Sequence, residues 1–134
     1  MKRFLGAVAA VAVVIAVIDM VLHNVILMDA YKQTMHLWRS EAEMKGLFWL
    51  ILAGYPVFAL FFVWIFAKGY EKGKSGIGQG LRFGILAGLL VNAAYCMMCY
   101  AVMPLPVGIP VVWFLGGMAE CIAGGLVAGL IYRP

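Results

Sequence analysis

The sequence predicts an all-α fold, a four-transmembrane-helix bundle threaded up and down. Three observations carry that prediction. Hydrophobic residues make up 66% of the 134 residues and charged residues 12%, against roughly 45–50% and about 25% in soluble domains. The mean hydropathy is +1.01, more apolar surface than a water-soluble core of this size can hide. The apolar residues also gather in four runs, each close to the roughly 20 residues that carry a helix across the hydrocarbon. Transmembrane strands are only about 9–11 residues long and alternate in polarity. These runs are longer and apolar all round, and a helix satisfies every backbone group within its own segment, as lipid demands.

The first span covers residues 4–28. It follows Met1-Lys2-Arg3, and no small-residue cleavage site follows its first stretch, so it reads as a retained signal anchor. The link 29–46 comes next. Tyr31, Met35 and Trp38 recur there at helical spacing and suggest a short helix lying on the membrane surface. The competing reading is a plain connector carrying interfacial anchors. Ser40-Glu41-Ala42-Glu43 has the form of a capping box, which starts the second helix near Glu41. The second span covers 47–67. Pro56, two residues after Gly54, removes a hydrogen bond to the Leu52 carbonyl and is expected to kink the helix, either for packing or for gating. A basic, glycine-rich link covers 68–80. The third span covers 81–102, a proline-containing turn covers 103–108, and the fourth span covers 109–131, with Pro110 in its first turn.

Small residues repeat within three of these helices. Gly76, Gly80, Gly84 and Gly88 are spaced by four and line one face of the third helix. Gly117, Cys121, Gly125 and Gly129 do the same on the fourth, and Ala9, Ala12 and Ala16 on the first. Such stripes let helix backbones approach closely. They serve internal packing, or they leave a face for a second copy or another membrane subunit.

Lysines and arginines set the orientation. Lys2, Arg3, Lys68, Lys72, Lys74, Arg82 and Arg133 fall on one side, and Lys32, Arg39 and Lys45 on the other. Seven against three puts both termini and the 68–80 link in the cytoplasm. Trp38, Trp49, Tyr100 and Trp113 then lie near the outer boundary, and Trp64, Phe66, Tyr70 and Tyr132 near the inner one. The net charge of +4 resides at helix ends, where it meets lipid headgroups, and no basic patch interleaved with aromatics points to nucleic acid.

Polar residues within the spans are costly and mark candidate functional positions. They are Asp19, His23, Asn24, Asn92 and Glu120, with the thiols of Cys96, Cys99 and Cys121. Asp19 and His23 are four apart and share a helix face. With alternating helix directions, Asp19 and His23 fall in the outer half of the membrane, Asn92 near mid-depth and Glu120 near mid-depth or slightly outside it, so nearly all the polar groups can meet in the outer half, and the inner half is mostly packing. Such a cluster acts as a hydrogen-bonded knot, handles protons or ions, or contacts a lipid or quinone. Cys96-Met97-Met98-Cys99 has the spacing and softness of a metal motif, with Cys121, His23 and Glu120 as further ligands. On an apolar helix, cysteine and methionine also pack as plain hydrophobes. Bis-histidine haem needs a partner for His23, and His36 supplies one only if its link folds over the bundle. Gly76-Ile77-Gly78-Gln79-Gly80 lacks the lysine-serine ending of a phosphate loop. No nucleophile triad or zinc-hydrolase motif is present, so no enzymatic activity and no resident cofactor are expected.

Trp38-Arg39 with Glu41 to Lys45, Gly80-Leu81-Arg82-Phe83-Gly84, Val102-Met103-Pro104-Leu105-Pro106, and Trp113-Phe114-Leu115-Gly116 with Glu120 occur together. In these the chain resembles a group of small, uncharacterised bacterial four-helix membrane proteins of unknown function. The resemblance spans nearly the whole chain. It implies a bacterial cytoplasmic membrane and supplies no activity or site residues. The leading functional expectation is a non-enzymatic assembly or accessory subunit, or a homo-oligomer, packed through Gly80, Gly84, Gly88, Gly117, Gly125 and Gly129. A small proton-coupled transporter or ion channel using Asp19, His23 and Glu120 is the alternative, followed by a metal or haem carrier.

Overall fold

The computed structural model describes residues 1–133. It is all-helical, with five α-helices: α1 Lys2–Val21, α2 Met28–Gln33, α3 Glu41–Lys68, α4 Gly76–Val102 and α5 Gly108–Ile131. Four helical segments, Lys2–Ile26, Glu41–Lys68, Gly76–Val102 and Gly108–Ile131, are long and apolar enough to cross a membrane. The start of α1, the end of α5 and the α3–α4 link share one end of the bundle, called here the terminal end. The α1–α3 link and the α4–α5 turn share the other, called here the link end.

The helix boundaries follow from local chemistry. Ser40 caps α3, its hydroxyl accepting from the Glu43 amide while the Glu43 carboxylate accepts from the Ser40 amide at 3.0 Å. The helix runs unbroken through Pro56. Helix α4 begins at Gly76, ahead of the apolar run at 81, because Ser75 caps it and Gln79 clamps the preceding link. The buried Gln79 amide accepts from the Glu71 amide at 2.7 Å and donates to the Glu71 and Lys74 carbonyls at 3.1 and 3.3 Å. Glu71 also pairs with Lys74 and, at 3.2 Å, with Arg82. Hydrogen bonds from Lys74 and then Arg82 hold its carboxyl below the usual carboxylate range.

Packing centres on α5, which lies against α4, α1 and, more lightly, α3. The α4–α5 seam joins backbone to backbone. A Cβ built on Gly80 would strike the Gly125 carbonyl, one on Gly84 the Cys121 carbonyl, and one on Gly125 the Gly80 carbonyl in return. The two stripes seen in the sequence therefore face each other within one chain. On the opposite side of α5, Ala7, Val11 and Ile15 of α1 form a buried stripe with Ala59, Phe62, Val63 and Phe66 of α3. Phe83 of α4 meets Phe62 and Phe66 at ring separations of 4.7 and 5.5 Å, which ties α3 to α4 near the terminal end. The first half of α3 has no comparable packing: from Glu41 to Val57 nearly every residue is exposed.

Candidate functional site: an ionisable cleft at the link end

Helix α1 does not reach residue 28 as a regular α-helix. Leu22–Ile26 form a π-helical turn, closed by Leu27 N donating to Leu22 O at 2.9 Å, and α2 starts immediately after it. Isolated π-turns recur at functional positions because they re-aim side chains within an otherwise regular helix. This one carries His23.

The link folds back over the bundle end instead of lying apart from it. Thr34 is buried, donates to the Ala30 carbonyl at 2.8 Å and accepts from the Trp38 indole at 2.9 Å. Tyr31 stacks on His23 at 5.7 Å with ring planes 7° apart, and meets the edge of Trp38 at 5.3 Å. Trp38 in turn packs against Trp113 of α5 at 6.1 Å. Tyr31 and Trp38, for which the sequence left a surface helix and a plain connector open, form a roof anchored to α1 and α5. Met35 and His36 remain exposed on a 3₁₀ turn.

Beneath the roof the hydrogen bonds have a direction. The Trp113 indole, a donor only, donates to the Tyr31 hydroxyl at 2.7 Å. That oxygen lies 2.6 Å from His23 Nδ1. Burial, offset by the Trp113 bond and reinforced by Asp19, pushes the Tyr31 phenol above its ordinary range, so it keeps its proton. With neutral imidazole, the Tyr31 O–H donates to Nδ1 and the histidine proton resides on Nε2. Nε2 is 3.3 Å from Asp19 Oδ1, while the Tyr55 hydroxyl of α3 donates to Asp19 Oδ2 at 2.5 Å. One connected set of side chains therefore links α5, the α1–α3 link, α1 and α3.

Asp19, His23, Asn92 and Glu120 line one cleft of about 230 Å³, together with Tyr95, Cys96 and Trp113. Asn92 donates back to the Gly88 carbonyl at 2.9 Å, and its side chain fills the space a Cβ on Gly117 would need. Glu120 has no hydrogen-bond partner among the described residues, and Asp19 and His23 act on it electrostatically. The cleft lining contains no lysine or arginine. Asn24 is exposed and donates to the Met20 carbonyl at 2.9 Å, away from the cleft.

The metal grouping of Cys96, Cys99, Cys121 and His23 does not assemble. Among the described residues, no three or more His, Cys, Asp or Glu side chains are arranged to hold a metal ion. Cys121 belongs to the α4–α5 seam, and both ring nitrogens of His23 are already occupied by Tyr31 and Asp19. All three thiols are free.

Tyr55, Tyr95 and the π-turn are the parts of the site that sequence reasoning did not identify. The tyrosines were legible in principle, since a phenol inside an apolar span needs a partner as an amide does. The π-turn has no comparable signature: Leu22-His23-Asn24-Val25-Ile26 contains neither proline nor glycine. No family model, curated protein or solved structure matches the chain.

Proposed function

We propose that this is a non-enzymatic, multi-pass protein of the bacterial cytoplasmic membrane, with both termini in the cytoplasm. In this reading it takes a proton or small cation into the outer-half cleft and couples that uptake to transport. One observation carries the proposal: two carboxylates and one imidazole share a cleft lined by no lysine or arginine. Even with His23 protonated, ionised Asp19 and Glu120 leave one negative charge in surplus. An ionised group in the hydrocarbon zone is costly unless paired, and a bound proton or cation supplies the pairing. The carboxylates and the imidazole take up a proton, and the Trp113 and Tyr95 rings that also line the cleft suit an organic cation.

The Trp113–Tyr31–His23–Asp19 set gives protonation a mechanical consequence. A proton taken on His23 Nδ1 turns that nitrogen from acceptor to donor. The Tyr31 O–H must then rotate away, since its oxygen now receives bonds from both Trp113 and His23. Tyr31 lies in the roof, so the charge state of the cleft acts on the link above it.

The test is proton flux, measured with an internal pH dye in vesicles that hold the purified protein. Glu120→Gln and Asp19→Asn are expected to abolish flux in folded protein. Undiminished flux in both variants would remove the cleft from the mechanism.

Assembly is the second reading, favoured by the exposed first half of α3. The α4 and α5 glycines are consumed within the chain, so an oligomer or a larger complex would form through α3. Disulfide trapping of cysteines placed along residues 47–57 checks this: cross-links between copies support it, and their absence at every position counts against it.

A further inference from the structure

A second feature lies at the terminal end, away from the cleft. Lys2 and Arg3 of α1, Lys68 of α3, and Arg133 after α5 line one groove of about 870 Å³, which contains no acidic side chain. The Arg3 guanidinium donates to the Arg133 carbonyl at 2.9 Å, which holds the first and last turns together. Lys68 stands over the Trp64 ring at 5.8 Å. The nearby carboxylate of Glu71 is committed to Lys74 and Arg82. The four groove cations come from α1, from α3 and from the segment that follows α5, so the tertiary fold brings them together.

The surroundings indicate what chemistry this charge meets. Trp64 also lines the groove, one turn before Lys68, and is 50% exposed. Leu5, Leu60 and Ile65, which continue from the groove along α1 and α3, are 58%, 42% and 57% exposed. Cations above an indole above a bare aliphatic surface match, in order, the phosphate, glycerol and acyl layers of a lipid leaflet.

We propose that this groove is a binding site for an anionic phospholipid, the headgroup phosphate held by Arg3, Lys68 and Arg133 and the acyl chains lying along α1 and α3. A guanidinium offers paired N–H donors to phosphate oxygens, and the lysine adds a point charge. The site is independent of the cleft and stands whether or not the cleft moves protons.

Native mass spectrometry of the detergent-purified protein, with phosphatidylglycerol and phosphatidylcholine added in equal amounts, tests it. Retained phosphatidylglycerol is expected to exceed phosphatidylcholine by about tenfold, from roughly fivefold per engaged cation discounted for exposure. The triple variant Arg3→Gln, Lys68→Gln, Arg133→Gln should lose that preference. A charge-matched control, Lys32→Gln, Lys45→Gln, Lys72→Gln, should keep it. Equal loss in both triples would mean bulk charge attraction and would overturn the site. Displacement of the lipid by millimolar inorganic phosphate would reassign the groove to a soluble anion. Should the triple fail to fold, the single variant Lys68→Gln, at an exposed side chain, reads the same preference, and no change there would likewise overturn the proposal.

Discussion

At the terminal end, α4 and α5 touch through glycine backbones, and Phe62, Phe66 and Phe83 fill the space beside α3. At the link end, the same bundle opens around Asp19, His23 and Glu120, and the first half of α3 is exposed. Backbone-to-backbone contact requires residues with no side chain, which also carry no chemistry. Ionisable groups need room, partners and access to water, which close packing denies them. The molecule meets both demands by separating them along the helix axes, with Gly88 and Asn92 on α4 marking the change.

The strongest way to break this contrast is to add bulk to the seam. Gly80→Leu should destabilise the protein by about 3 kcal/mol or more, because both sides of the clash are backbone and neither can rotate away. Gly54→Leu, where nothing lies within 4 Å of the added Cβ, should change stability little. Thermal unfolding in detergent compares the two directly, and equal losses would refute the account of the seam.

The link end should respond differently. Asp19→Ala strips Tyr55 of its acceptor and His23 of its facing carboxylate, at a cost of about 1–3 kcal/mol. Glu120→Gln, which removes a charge and breaks no hydrogen bond among the described residues, should leave the unfolding temperature nearly unchanged. A fall in melting temperature for Glu120→Gln as large as for Asp19→Ala would make Glu120 a structural group.

Tyr31→Phe keeps the ring stack and removes the hydroxyl shared by Trp113 and His23. The expected loss is about 1–2 kcal/mol, with a shift in indole fluorescence as Trp113 loses its acceptor. An unchanged emission spectrum would mean that this hydrogen bond does not persist in solution.

The smallest effect concerns pH at the α3–α4 link. Glu71 is held below its ordinary pKa of 4.5 by Lys74 and Arg82. A depressed folded-state pKa contributes stability above the unfolded value, and that contribution is lost as pH falls through the folded value. Wild type should therefore lose its slight advantage over Glu71→Gln below about pH 4.5. The group is exposed, so the difference is small and sensitive to salt. A constant difference from pH 7 to pH 3 would show that the pairs contribute nothing.

Much of the fold was legible in the sequence because a membrane helix announces itself through length and composition, as residues 47–67 and 109–131 do. The capping box at Ser40 was legible because both partners lie within four residues of sequence. The pairing of the α4 and α5 stripes was not, since a row of glycines shows that some backbone comes close without saying which. Gln79 was hidden for a related reason: its three bonds reach Glu71 and Lys74, a loop whose shape the loop residues alone do not specify. For the cleft, helix direction and depth grouped Asp19, His23, Asn92 and Glu120 as expected neighbours. The roof above them depends on Tyr31 and Trp38 turning inward, which requires the π-turn and the bend at Leu27.

The seam also determines which parts of the molecule can shift. Carbonyls locked against facing glycines over successive turns prevent α4 and α5 from sliding or rolling past each other, so the pair behaves as one rigid rod. Any widening or narrowing of the cleft must then come from α1 and α3 swinging against that rod. At the link end α1 is held to it by Leu22 against Gly116 and by the Tyr31 and Trp38 roof, while at the terminal end α3 is held by Phe62 and Phe66 against Phe83. The bundle is built like a pair of tongs, clenched at the aromatic end and latched at the other by a tyrosine hydroxyl.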